Sequence, residues 1–144
     1  MSEALTQTEF DLLWNLPKQT TEDRILDYPD IGQSLTFEVV AQRERFMIDI
    51  NRRNSSMKLT LQERYRKEIV MARLDFGSKP HRNPDDSFVS GNHLHMYREG
   101  FADNFAIELP ERFNGLEGHR LFFEFMRFCN IIEPYSFIRT RLFQ

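Results

Sequence analysis

Between Leu35 and Phe76 apolar and polar residues alternate with a period of two over four successive stretches. That pattern leaves few folds open, because neighbouring side chains on a β-strand point to opposite faces and a half-buried strand must therefore alternate. Leu35, Phe37, Val39 and Ala41 fall on one face of a first strand, and Phe46, Ile48 and Ile50 on one face of a second. Leu59 and Leu61 begin a third, and Val70, Ala72, Leu74 and Phe76 face one side of a fourth. The stretches "QRER" and "RYRKE" read as hairpin tips, and "NRRNSSM" turns the chain between them. After a long loop, Leu94 and Met96 mark a fifth strand. Successive strands joined by short tips predict an antiparallel β-meander of about five strands.

Two helical stretches flank this block. "TQTEFDLLWNLPK" predicts a short helix capped by Thr6 or Thr8 and ended by Pro17, with Phe10, Leu13 and Trp14 at helical spacing. In "GLEGHRLFFEFMRFCNIIEP", Leu121, Phe122, Phe125, Phe128 and Cys129 form one wide apolar stripe. "YSFIRTRLF" reads as a last strand. Fourteen phenylalanines among 144 residues supply enough apolar area for a core without disulfides. The expected fold class is α+β: residues 1–144 as a single domain, with the helices packed on one face of the meander.

Charge excludes some functions. The net charge of −3 argues against indiscriminate nucleic-acid binding, which needs a surplus of Lys and Arg. The cations are concentrated, however: Arg43, Arg45, Arg52, Arg53, Lys58, Arg64, Arg66, Lys67 and Arg73 all lie in the central third. That distribution allows a local basic surface on an acidic chain; the alternative is that these are solvated charges protecting strand edges. The lone Cys129 cannot close an internal disulfide, and its place on the apolar stripe makes it a small buried hydrophobe. No apolar run reaches the roughly 20 residues of a membrane span, and "MSEALTQTEFD" lacks the basic-then-apolar order of a secretory signal. The expectation is a cytoplasmic protein without membrane contact.

If the apolar residues above face the helices, their alternates share the other face. That face collects Asp49, Asn51 and Arg53, then Lys58, Thr60, Gln62 and Arg64, then Arg73 and Asp75, then His93, His95 and Tyr97. Histidines two apart on a strand point the same way, roughly 7 Å from each other. The loop "GSKPHRNPDDSFVSGN" is longer than an ordinary hairpin loop and carries His81 toward one end of that face. His119, at the start of the last helix, suits a surface or capping role.

Three chemistries fit these residue types. The first is metal-free RNA cleavage. His81, His93 and His95 would carry protons with Asp75 as their partner, Arg64 and Arg73 would hold phosphate, and Tyr97 would stack a base, with Tyr65 and Phe88 as further aromatic candidates. The second is a metal held by His93 and His95 with His81 or Asp75. There is no HExxH and no cysteine pair, so the expectation is no metal and no cofactor. The third is a non-catalytic face, either solvated or docked on a protein partner. No GxGxxG, GxxxxGK[ST] or GxSxG occurs, which removes support for nucleotide-loop and serine-hydrolase chemistry.

The stretches "FMIDINRR", "RLDFGSKPHRNPDD", "HLHMYREG" and "FCNI" resemble a family of small uncharacterised proteins of bacteria and their phages. The order Arg-x-Asp, a histidine, then His-x-His is similar to short toxins of toxin–antitoxin pairs that are suspected ribonucleases. That likeness implies a site made of Arg73, Asp75, His81, His93 and His95. The expectation is an RNA-binding or RNA-cleaving toxin-like protein. The alternative is a protein-binding module, such as an inhibitor of host defence. The partners implied are RNA, an antitoxin or defence protein, and a second copy of the chain.

Overall fold

The structure is a computed structural model and describes residues 4–52 and 58–141. The expectation for Arg53 falls outside the described residues. Among the described residues eleven strands follow one another as β1 (Gln19–Thr20), β2 (Leu26–Asp27), β3 (Ser34–Ala41), β4 (Glu44–Arg52), β5 (Leu59–Tyr65), β6 (Ile69–Phe76), β7 (His81–Arg82), β8 (Phe88–Val89), β9 (His93–Met96), β10 (Ala106–Glu108) and β11 (Ile138–Arg139). Helix α1 spans Gln7–Trp14, and α2 spans Gly118–Phe128 after a 3-10 turn at Glu111–Phe113.

A sheet in the order β1-β3-β4-β5-β6-β9-β10 forms the centre of the molecule, and every neighbouring pair in it is antiparallel. The expected meander is its middle, β3 to β6 and then β9. The sheet is larger than expected because β1 and β10 extend its two edges. These edge strands have two and three residues, too few to show a period. Among the described residues two α-helices accompany the sheet, so the mostly antiparallel sheet dominates an α+β architecture.

The alternation predicted the core. Phe37, Val39, Phe46, Ile48, Ile50, Leu61, Ala72, Leu74 and Leu94 are all buried, and Phe10 from α1 and Leu121, Phe122, Phe125 and Met126 from α2 join the same cluster. Each large side chain removed from water contributes about 1.5–3 kcal/mol. Thr6 caps α1 by accepting from the Glu9 amide (3.1 Å), while the Glu9 carboxylate accepts from the Thr6 amide (2.9 Å). Cys129 is buried, as expected, and burial pushes its thiol well up.

Two expectations fail for one geometric reason. Glu63 pairs with Ala72 but Arg64 pairs with Val70, so Met71 is an extra residue in β6. Met71 turns into the core with 0% exposure, and Val70 comes to lie opposite Arg64 on the polar side. The Met71 carbonyl receives the Tyr97 amide (2.9 Å). Tyr97 is therefore a core residue rather than a member of the polar face. Its hydroxyl donates to the Leu5 carbonyl (2.6 Å) and accepts from the Leu5 amide (2.8 Å), and its ring stacks on Phe10 at 5.5 Å.

The core also holds an ion pair. Glu63 lies between Leu61 and Tyr65 on the apolar face of β5, and its carboxylate is 3.5 Å from Lys18 Nζ, both side chains being fully buried. Lys18 also donates to the Cys129 and Trp14 carbonyls (2.7 and 3.2 Å) and lies against the Trp14 and Phe46 rings. Burial outweighs the lysine charge and pushes the Glu63 carboxyl up to about 7.

Candidate functional site

Register builds the site. On the polar face Asp49 pairs with Gln62, Gln62 with Arg73, and Arg73 with His95; one step along, Thr60 pairs with Asp75 and Asp75 with His93. Strands β6 and β9 thus bring Arg73, Asp75, His93 and His95 together, as the spacing predicted. His93 Nε2 and His95 Nε2 lie 3.3 and 3.2 Å from the same oxygen, Asp75 Oδ2. Arg73 reaches Asp75 (3.3 Å), Asp103 (2.9 Å) and His95 Nε2 (3.1 Å).

The long loop folds back through its own two-stranded piece, β7 against β8, with His81 paired to Val89. Asn83 anchors this piece: it donates to the Ala106 carbonyl (2.9 Å) and accepts from the Ala106 amide (2.8 Å). The His81 ring then sits 4.6 Å from the His95 ring and 5.5 Å from the His93 ring, centroid to centroid. One ring nitrogen from each of the three histidines lies within 4.8 Å of the others.

Each imidazole has one nitrogen pinned by the backbone. His93 Nδ1 faces the Gly91 carbonyl (3.0 Å), His95 Nδ1 the Asp103 carbonyl (2.8 Å), and His81 Nε2 the Asn104 carbonyl (2.9 Å). A carbonyl only accepts, so those nitrogens donate and carry the proton. In the neutral rings the other nitrogens, His93 Nε2, His95 Nε2 and His81 Nδ1, are lone-pair sites. Gly91 holds a left-handed φ of 76° at the turn that supplies the first of these carbonyls, a conformation side-chain-bearing residues resist.

Electrostatics distinguish the carboxylates of this face from the one in the core. Burial alone would raise the Asp75 carboxyl, but the His95 hydrogen bond and the Arg73, His95 and His93 charges outweigh it and hold it below the usual range. Asp49 behaves alike: burial is outweighed by Arg64, Thr36 and Gln62. Its partner Arg64 forms a two-pronged bond to it (2.6 and 2.8 Å) and also donates to the Lys67 carbonyl.

A groove of about 1170 Å³ runs across this face, lined among others by Arg52, Lys58, Arg64, Arg73, Lys79 and the two carboxylates Asp49 and Asp75. Lys58 and Lys79 are exposed and make no ion pair among the described residues. The cluster sits at the Asp75 end, with His93 and His95 almost fully buried behind that carboxylate and His81 half-buried.

The structure therefore joins His81, His93, His95, Asp75 and Arg73. It leaves Arg64 in the same groove, tied to Asp49 and two residues along β5 from the Gln62 that pairs with Arg73. It removes Tyr97 and Tyr65 from base stacking: both are 5% exposed, in the core. Phe88 is 67% exposed, on the short hairpin, with the Arg82 guanidinium over its ring. His119 has its Nδ1 buried without a hydrogen-bond partner, packed near the Tyr28 and Phe123 rings, so it caps nothing. Asp103 and Asn104 escaped sequence reasoning because they contribute chiefly backbone carbonyls, which residue type does not reveal. Lys79 was readable as a cation but sits in the loop, outside the alternation.

The fold and site define a class: an antiparallel-sheet domain whose polar face carries a cationic groove ending in a histidine–aspartate cluster. The model of a family of unknown function, DUF6978, matches residues 5–131, and the chain belongs to that family. The matched span includes every residue of the cluster. No curated protein and no solved structure matches the chain. No helix among the described residues is long and apolar enough to cross a membrane.

Proposed function

We propose that the chain binds single-stranded RNA along the groove of its polar sheet face, with the histidine–aspartate cluster at the end of the bound strand. The observation that carries this is the charge of the groove. Five cations and two carboxylates line it, a local surplus of positive charge on a chain of net charge −3. Such a surplus attracts a polyanion, and a groove lined from β3, β4, β5 and β6 in turn can meet successive phosphates of a backbone. Thr36, Thr60, Gln62 and Asn51 add hydroxyl and amide groups of the kind that meet ribose hydroxyls and base edges. The groove lacks an exposed tyrosine, so affinity rests on charge and hydrogen bonding more than on stacking.

Geometry supports binding ahead of metal-free cleavage. A proton carrier must reach the substrate. His93 and His95 are 3% and 1% exposed, which leaves His81 as the imidazole with access. His93 and His95 act in this reading as positioning residues for Asp75. A toxin-like role would use the groove to sequester or cut RNA.

The test is fluorescence anisotropy with a labelled single-stranded RNA in chelator, at about 50 and 200 mM salt. Affinity should fall steeply with salt. The charge reversals Lys58→Glu and Lys79→Glu together should weaken binding at least about tenfold and flatten the salt slope. Wild-type affinity unchanged by the pair, or no binding at low salt while an acidic polypeptide does bind, would sink the RNA reading and favour a protein-docking module, such as a phage inhibitor of host defence. Induced expression beside the His93→Ala/His95→Ala variant, with total RNA examined, tests cleavage separately.

A further inference from the structure

We propose that His81, His93, His95 and Asp75 form a binding site for a divalent first-row transition ion. The site belongs to the same cluster but does not rest on the RNA reading.

Each imidazole of the cluster is held through one ring nitrogen. Three backbone carbonyls fix which ring nitrogen of each histidine carries the proton. One ring nitrogen from each histidine lies within 4.8 Å of the others, and two of the nitrogens left over, His93 Nε2 and His95 Nε2, flank a single oxygen of Asp75. In neutral rings the two Nε2 atoms are lone pairs set against a carboxylate in a mostly buried place, with the His81 ring beside them. Lone pairs facing a carboxylate repel unless a proton or a metal ion lies between them. Histidines that bind metals characteristically donate the other ring N–H to a carbonyl or carboxylate, which orients the ring and fixes the tautomer. All three imidazoles here have that arrangement, from three different segments of chain.

Distances agree with the chemistry. Ligand atoms around a tetrahedral ion with bonds of 2.0–2.1 Å lie about 3.3 Å from one another. The Asp75 Oδ2 separations of 3.3 and 3.2 Å from His93 and His95 fit two edges of such a tetrahedron. His81 must move inward, and it sits on a two-residue strand of a short loop hairpin, half-buried, where a small shift is cheap. Arg73 Nη2 must give up His95 Nε2, and it retains Asp103 through Nη1 at 2.9 Å. Three imidazoles and one carboxylate suit zinc, iron(II), cobalt(II) or nickel(II) better than magnesium or calcium, which prefer oxygen. Asp75 also lines the groove, so an ion bound there would sit at the groove's end.

The experiment is zinc titration of the chelator-stripped, full-length protein without nucleic acid, read by calorimetry and by metal analysis after gel filtration. About one equivalent should be retained, with a higher melting temperature. Cobalt(II) in place of zinc should give the visible absorption of a low-symmetry nitrogen–oxygen site. His81→Ala, at a half-buried position on the loop, should stay folded by circular dichroism and weaken zinc at least about tenfold, as a lost ligand must. Asp75→Asn should weaken it as well, and His93→Ala/His95→Ala should abolish retention. Less than about 0.1 equivalent retained by wild type, or undiminished zinc affinity in folded His81→Ala, overturns the proposal. Because the RNA test is run in chelator and this one without RNA, each can fail alone.

Discussion

Glu63 on β5 and Asp75 on β6 are carboxylates on adjacent strands of one sheet, and they project to opposite faces. Glu63 enters the apolar core, where Lys18 is the cation beside it, and its carboxyl is pushed up to about 7. Asp75 enters the polar face, where Arg73 and two histidines surround it, and its carboxyl is held below the usual range. Both groups are substantially removed from water. Burial penalises the charge in each case, so the number and nearness of partners decides the direction. The comparison also separates two purposes. The Lys18–Glu63 pair is closed on all sides, with both side chains at 0% exposure, and has no path to a ligand. The Asp75 cluster gathers imidazole nitrogens around a carboxylate and opens on a groove. A buried polar group is a sign of function only in the second situation.

The largest expected effect breaks the closed pair. Lys18→Met should destabilise the fold by about 3–5 kcal/mol, because it leaves a buried carboxyl without its cation. The double change Lys18→Met/Glu63→Leu should recover most of that loss, since an apolar pair of similar volume is often as stable as a buried ion pair. Urea denaturation of the two variants decides it. A double variant as unstable as the single one would mean the pair specifies the core rather than merely occupying it. No comparable rescue is expected for the histidine cluster, where paired apolar replacements remove the ligands.

Glu63 next predicts a pH dependence with a definite sign. Its carboxyl holds a proton more tightly folded (about 7) than unfolded (near 4.5). The folded state therefore binds more protons in that window, and stability falls as pH rises from about 4.5 to 7. Across the window the contribution is of order 3 kcal/mol at most. Denaturation midpoints of wild type and Glu63→Gln, taken at pH 5 and pH 7.5, should differ in slope: wild type loses more. Parallel slopes would mean Lys18 holds the glutamate ionised throughout.

Much of this contrast was legible in the chain, and its limits were physical. Period-two alternation over residues 35–76 fixed which face Phe46, Ile48 and Leu61 take, and it placed Asp75, His93 and His95 on the other. The same alternation puts Glu63 on the core face. Its partner is 45 positions away, at Lys18, and nothing local to either residue announces the pair. The pattern failed at Met71, where one inserted residue shifts the register and leaves Val70 and Tyr97 on the faces opposite to those expected. A bulge carries no signature in hydrophobicity. His81 joined the cluster through a loop hairpin whose strands have two residues each, below the length at which a period can be read. The carbonyls of Gly91, Asp103 and Asn104, which set the histidine tautomers, are invisible to residue type altogether.

The smallest effect sharpens the comparison within the polar face itself. Asp49 accepts four hydrogen bonds, two from Arg64, one from Thr36 (2.7 Å) and one from Gln62 (2.7 Å), and these hold its carboxyl below the usual range. A depressed folded pKa contributes stability above the unfolded value near 3.8 and loses it as pH falls through the folded one, the reverse of Glu63. Asp49→Asn should therefore cost about 1–2 kcal/mol at neutral pH, and the cost should shrink as pH falls below 3.8. Affinity for a polyanion should move the other way. The substitution removes one of the two carboxylates lining the groove and releases Arg64 from its two-pronged bond. A variant less stable yet tighter for RNA would show the groove restraining its own cations for the sake of the fold. Loss of both stability and RNA affinity would show instead that Arg64 needs Asp49 to hold it in place, and that the pair works as one unit.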